Sequence, residues 1–190
     1  GLMVCEKCSQ KRFSEKVRKA IQEAFERQME GKRREAWKQR TEIAKKGVKA
    51  YEEGRVQEAL VCFKEYLAIL ESRFSVGSNG LTANLFDPKK DMGEILLISG
   101  IFWDMAKTYD QMKGKEAEMR FTLNKFIEFS IDRPHIIVAS EAIRKYIVAG
   151  KCKHPRDFKN AHIVAQNNLA KCYIATSVYG PNSREVKKLQ

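Results

Sequence analysis

The sequence predicts an all-α protein of about seven or eight helices, taken in successive antiparallel pairs. Three observations carry this. Apolar residues recur at steps of three and four along most of the 190-residue chain, the spacing that lines one face of a helix. The four prolines, Pro88, Pro134, Pro155 and Pro181, fall between those stretches, and proline breaks helix interiors. The two runs rich in β-branched residues, EILLISGIFW and HIIVAS, continue into helical periodicity, and no Asn-Gly or Asp-Gly signal separates strand-like runs.

The elements follow in order. Residues 12–53 read as helix, with Phe13, Val17, Ile21, Ala24 and Phe25, then Trp37, Ala44, Val48 and Tyr51 on a stripe. Gly31 costs about 1 kcal/mol in a helix interior, so a break or kink is expected there. Residues 55–73 form the next helix, and Cys62 lies on its apolar stripe as a packing residue. The stretch SVGSNGLTANLFDPKKDMG is a long turn-rich loop, a kind that is either functional or disordered. Leu81, Leu85 and Phe86 argue that it is pinned to the body. Residues 94–112 and 115–131 make a second helix pair around MKGKE, and residues 135–149 and 157–179 a third around GKCKHPRD. His135, after a proline, reads as a helix-start residue.

The net charge of +12 is concentrated at the two ends. Residues 1–60 and 151–190 each carry +6, whereas residues 61–150 are neutral. Such a pattern is either a solvated surface or a field that steers an acidic partner, whether protein, nucleic acid or membrane surface. The apolar run Ile95–Trp103 is far shorter than the roughly 20 residues a membrane helix needs. The N-terminal GLMVCEKC has no signal-peptide apolar run, and Gly1 and Leu2 read as additions ahead of a start at Met3. Five cysteines, an odd number, point to a reducing cytoplasm. No Gly-rich phosphate loop, HExxH, GxSxG or paired-carboxylate motif occurs, so no enzyme is expected.

Residues 1–11 form a separate CxxC segment. Cys5 and Cys8 have the knuckle spacing of zinc sites, which supplies half a tetrahedral shell. Cys152, His154, Cys172, His162 and His135 are the candidates to complete it, and Cys152 with His154 would do so by tying the N-terminus to the loop before the last helix. Otherwise the pair is two exposed thiols or, with less support from its surroundings, a redox dithiol.

GVKAYEEGRVQEALVCFKEYL, residues 47–67, resembles the tetratricopeptide repeat. Gly47 takes the small position of the first helix, Gly54 the turn, and Ala59 and Phe63 the small and large positions of the second helix. Ala50 stands where the family prefers Tyr, and Tyr66 where it prefers Ala. Weaker copies align on Gly114, with Trp103, Ala106, Leu123 and Phe126, and on Gly150, with Tyr146. The resemblance covers roughly residues 36–170, within a repeat domain spanning 12–171. It implies stacked helical hairpins that bind a protein or peptide partner in a groove lined by the first helices. Carried over by position, that groove would present Ala44, Val48 and Tyr51, then Asp104, Thr108 and Gln111, then Ser140 and Arg144. Ala44 and Val48 replace the Lys/Asn pattern that clamps a C-terminal carboxylate in some members, so an apolar helix or peptide is the expected ligand. Nucleic acid bound by the basic ends is the alternative.

The C-terminal CYIATSVYGPNSREVKKL, in residues 172–190, is similar to a CFIATAAYG-type box that ends assorted bacterial proteins. Cys172, Ile174, Ala175, Thr176, Tyr179, Gly180, Glu185, Val186 and Leu189 fit it. The resemblance implies a bacterial source, a small-residue helix, a glycine stop and a second short helix. Because such boxes usually continue into a basic-aromatic tail, an end truncated at Gln190 is expected.

Overall fold

The computed structural model describes the backbone of residues 6–179 and the side chains of residues 15–170 other than Arg33. It is all-helical, with no strand among the described residues. Among the described residues six α-helices follow one another: α1 (Glu6–Glu52), α2 (Val56–Phe74), α3 (Met92–Gln111), α4 (Glu116–Glu128), α5 (Ile136–Val148) and α6 (Pro155–Tyr179). A 3-10 turn, Ala83–Leu85, lies between α2 and α3. The helices pack as three hairpins, α1 with α2, α3 with α4 and α5 with α6.

Each hairpin turns on a glycine. Gly54, Gly114 and Gly150 have φ of 76°, 73° and 67°, the left-handed region that a Cβ penalises. These are the turn glycines of the sequence reading. After the third, Pro155 opens α6, where its missing N–H costs nothing.

Small residues set the spacing within the first hairpin. A Cβ built on Gly47 would lie 2.8 Å from the Phe63 ring and 3.0 Å from the Cys62 Cβ. Ala44, Ala50 and Ala59 are wholly buried beside it. Between hairpins the helices form two layers. In the first, α1 meets α3 through Arg40 and Glu94, and α3 meets α5 through Trp103 and Tyr146. In the second, α4 meets α6 through Arg120 and Asp157. An aromatic chain fills the space between the layers, running from Phe74 through Phe86 and Phe129 to Phe102.

The long loop is ordered by its apolar residues, as Leu81 and Phe86 predicted. Both are buried, and Leu85 packs against the core. Lys125 of α4 donates to the Leu81 carbonyl at 2.7 Å, and Glu128 accepts the Ala83 N–H at 3.0 Å. The loop therefore carries the chain from the end of α2 to the C-terminal end of α4 before α3 begins its neighbour.

One expectation is corrected. No break occurs at Gly31, because α1 is one helix of 47 residues. The six described helices and the 3-10 turn agree roughly with the seven or eight expected, and the short helix expected after Gly180 lies outside the described residues. The boundary expected after residue 11 falls inside α1, and the one after 171 falls inside α6. The long α1 outruns its partner: its 47 residues rise about 70 Å against about 28 Å for the 19 residues of α2. Residues 15–32 are consequently exposed throughout.

Glycines in these helices should respond with opposite signs. Gly47→Ala is expected to destabilise by about 1–2 kcal/mol in urea denaturation, because overpacking against Phe63 outweighs the gain in helix propensity. Gly100→Ala, with nothing within 4 Å of its added Cβ, is expected to stabilise by up to about 1 kcal/mol.

Candidate functional site

The exposed side of the α1–α3–α5 layer carries most of the residues singled out from the sequence. At its centre Lys107 of α3 extends over the Tyr51 ring of α1. Its Nζ lies 4.9 Å from that ring centroid, 5.4 Å from the Trp103 ring and 2.9 Å from the Asp104 carboxylate. The pair is mostly screened from solvent, with side-chain exposures of 23% for Lys107 and 19% for Asp104. Burial works against the ammonium, but Asp104 and the Tyr51 hydroxyl outweigh it and lift Lys107 above the ordinary lysine range. The result is a fixed cation framed by two aromatic rings, with half-buried Val48 on the preceding turn of α1.

Where α3 meets the third hairpin, a second polar cluster is centred on a buried carboxylate. Asp110 has no exposed surface. Its carboxylate accepts from the Tyr146 hydroxyl at 2.7 Å, from the Lys153 and His154 N–H groups at 2.9 Å each, and from Gln111 Nε2 at 2.9 Å. His154 Nδ1 lies 2.8 Å away, and because an ionised carboxylate only accepts, that nitrogen carries the proton. Burial alone would raise the Asp110 carboxyl, but these donors outweigh it and hold the group below the ordinary aspartate value. Burial, and after it the bond to Asp110, pushes the Tyr146 phenol well above its usual value.

A third cluster joins the first two hairpins. Tyr66, fully buried, donates to Glu94 at 2.6 Å. Arg40 grips the same carboxylate with two N–H groups at 3.2 and 2.9 Å and stacks on Trp37 at 3.8 Å. The position where the repeat pattern favours Ala thus holds a tyrosine that reaches the next hairpin.

The eight groove residues divide. Val48, Tyr51 and Asp104 are half-buried on the first-helix layer, and Tyr51 and Asp104 meet through Lys107. Gln111 is exposed and also donates to the Tyr146 oxygen and the Lys151 carbonyl, and Arg144 is exposed and paired with Glu141. Ala44, Thr108 and Ser140 are buried, so they serve packing and offer a partner no surface. Each lies on the side of its helix that turns inward.

Of the set Cys5, Cys8, Cys152 and His154, Cys5 and the Cys8 side chain lie outside the described residues. Cys152 and His154 share the loop before α6, but His154 is committed to Asp110 through Nδ1, with Nε2 4.0 Å from Glu116. Burial, and after it Asp110, pushes the Cys152 thiol up to about 11. Among the described residues no group of three or more His, Cys, Asp and Glu side chains is placed to hold a metal. Cys62 is buried packing, and His135 precedes α5 with its ring against the Phe129 carbonyl, both as read from the sequence. No described helix is long and apolar enough to cross a membrane.

Sequence reasoning missed Lys107, Asp110 and Glu94, which entered it only through the neutral charge balance of residues 61–150. It also missed a hollow of about 590 Å³ between α2 and α4, lined by Leu67, Leu81, Phe102, Met105, Tyr109 and Phe121 among others. The chain matches no family model, no curated protein and no solved structure.

The depressed Asp110 carboxyl fixes the sign of a pH effect. Its contribution is fully present above the unfolded aspartate value of about 3.9 and is lost as pH falls through the lower folded value. Asp110→Asn is expected to cost about 3 kcal/mol at pH 7, since it removes the charge from a buried network. In denaturation curves taken from pH 6 to pH 2, the gap between wild type and variant should narrow below about pH 4.

Proposed function

We propose that this chain is a tetratricopeptide-like scaffold that holds a peptide or helix of a protein partner against its α1–α3–α5 face, a binding role without catalysis. The observation that carries the reading is the Lys107 ammonium, fixed by Asp104 and framed by Tyr51 and Trp103. A charge already desolvated and immobilised, with aromatic rings beside it, needs little further ordering when a ligand arrives. Aromatic and cationic anchors of this kind dominate the energetics of protein interfaces. Hairpins turned on Gly54, Gly114 and Gly150 support the repeat reading. The cysteine usage and the C-terminal box support a bacterial, cytoplasmic setting.

The test is affinity capture from the native cell, followed by calorimetry with the captured partner. Tyr51→Ala and Lys107→Met are expected to weaken that complex by about tenfold or more, roughly 1.4 kcal/mol, with thermal melts that still show a folded chain. A partner that binds both variants as tightly as wild type would exclude this face.

A further inference from the structure

We infer that the part of α1 lying beyond the reach of α2, together with the hollow at Trp37, is a second docking surface whose occupant is an acidic amphipathic helix of a partner protein. This surface is separate from the α1–α3–α5 face. Val17, Ile21, Phe25 and Met29 are 41%, 64%, 56% and 39% exposed, an unusual series of large apolar side chains on one bare helix. Their spacing is four residues throughout. Each such step advances about 40° around the helix, so the row winds by about 120° and reaches, at Met29, the side of α1 that α2 covers from Ala36 onward. Met29 itself lines the hollow of about 910 Å³ formed with Ala36, Trp37, Ala68 and Ile69. The exposed row and the hollow are therefore one continuous apolar track. Rows of i, i+4 side chains are the ridges that pack into the grooves of another helix. From Val17 to Trp37 the track rises about 30 Å, which suits a partner helix of about 20 residues.

Charge selects the occupant. Residues 15–38 hold eight Lys and Arg against five Asp and Glu. Lys32, Arg34, Lys38 and Arg73 rim the hollow, and of its two acids, Glu30 is paired with Arg34 while Glu65 stands across from them. A second copy of this segment would set net positive against net positive, whereas an acidic helix complements it. Single-stranded nucleic acid binds through aromatic stacking faces, and at the hollow the Trp37 ring is already taken, with Arg40 3.8 Å over it and Arg73 5.6 Å from it. A bilayer is flat on this scale, and the track ends in a concavity.

The experiment pans a phage-displayed library of random 20-residue peptides on the immobilised full chain, with Phe25→Glu and Ile21→Glu as matched targets. Both substitutions fall on exposed positions, and circular dichroism checks that the variants remain folded. The expected result is a set of net-negative peptides with Leu, Ile or Met at i, i+4 spacing. They should bind at least tenfold more weakly to both variants, more weakly as salt rises, and unchanged to Tyr51→Ala. The inference is overturned if no such peptides emerge, or if those recovered bind Phe25→Glu as they bind wild type. It is equally overturned if the chain alone sediments as a dimer that Phe25→Glu dissolves, or if it pellets with phosphatidylglycerol vesicles through Phe25 and peptide does not displace them.

Discussion

The carboxylate of Asp110 is the constraint on which the arrangement of this molecule turns. It is a charge without exposed surface, met by donors from its neighbour Gln111, from α5 and from the loop that starts α6. Apolar packing between α3 and the third hairpin rests on the edge-to-face and tilted rings of Trp103, Tyr146 and Phe158, and the hydrophobic term itself carries no direction. A buried carboxylate permits no slippage, because every displaced donor leaves a charge unpaired in a poorly solvating interior. Glu94 plays the same part between the first two hairpins, held by Tyr66 and Arg40.

These two carboxylates explain how hairpins with different connections form one layered body. The first junction spans a long loop and the second a short turn, so chain connectivity imposes no common register. The polar ties supply it, and α1, α3 and α5 end up side by side with Tyr51, Lys107 and Asp104 facing out together. The proposed partner face is thus a consequence of how the hairpins are keyed. The second surface has the opposite origin: it exists because α1 continues past the end of α2, leaving a row of apolar side chains exposed.

Much of the fold was legible in the residues. Turn glycines announce themselves because only glycine enters the left-handed region without cost, and a small residue seven positions before Gly54 signals close helix approach. Gly31 misled because its cost is small, about 1 kcal/mol, against the cooperativity of a long helix with good formers on both sides. Ala44, Thr108 and Ser140 were assigned outward because one helix's periodicity shows that it has a buried stripe but not how wide that stripe is. A helix covered by its hairpin partner and by a neighbouring first helix buries a broader arc. Asp110 could not be read as internal, since four of its donors arrive from Tyr146, Lys153 and His154, more than thirty positions away. Tyr66 did leave a trace: a large polar-tipped residue where the repeat pattern wants alanine implies a partner across the hairpin boundary.

Hydrogen exchange on Asp110→Ala, followed amide by amide under conditions where the variant stays folded, tests the keying most directly. Faster exchange confined to α5, the 151–154 loop and α6, with α2, α3 and α4 still protected, is the predicted result. Protection lost evenly across all helices, or left unaltered in α5 and α6, would contradict it.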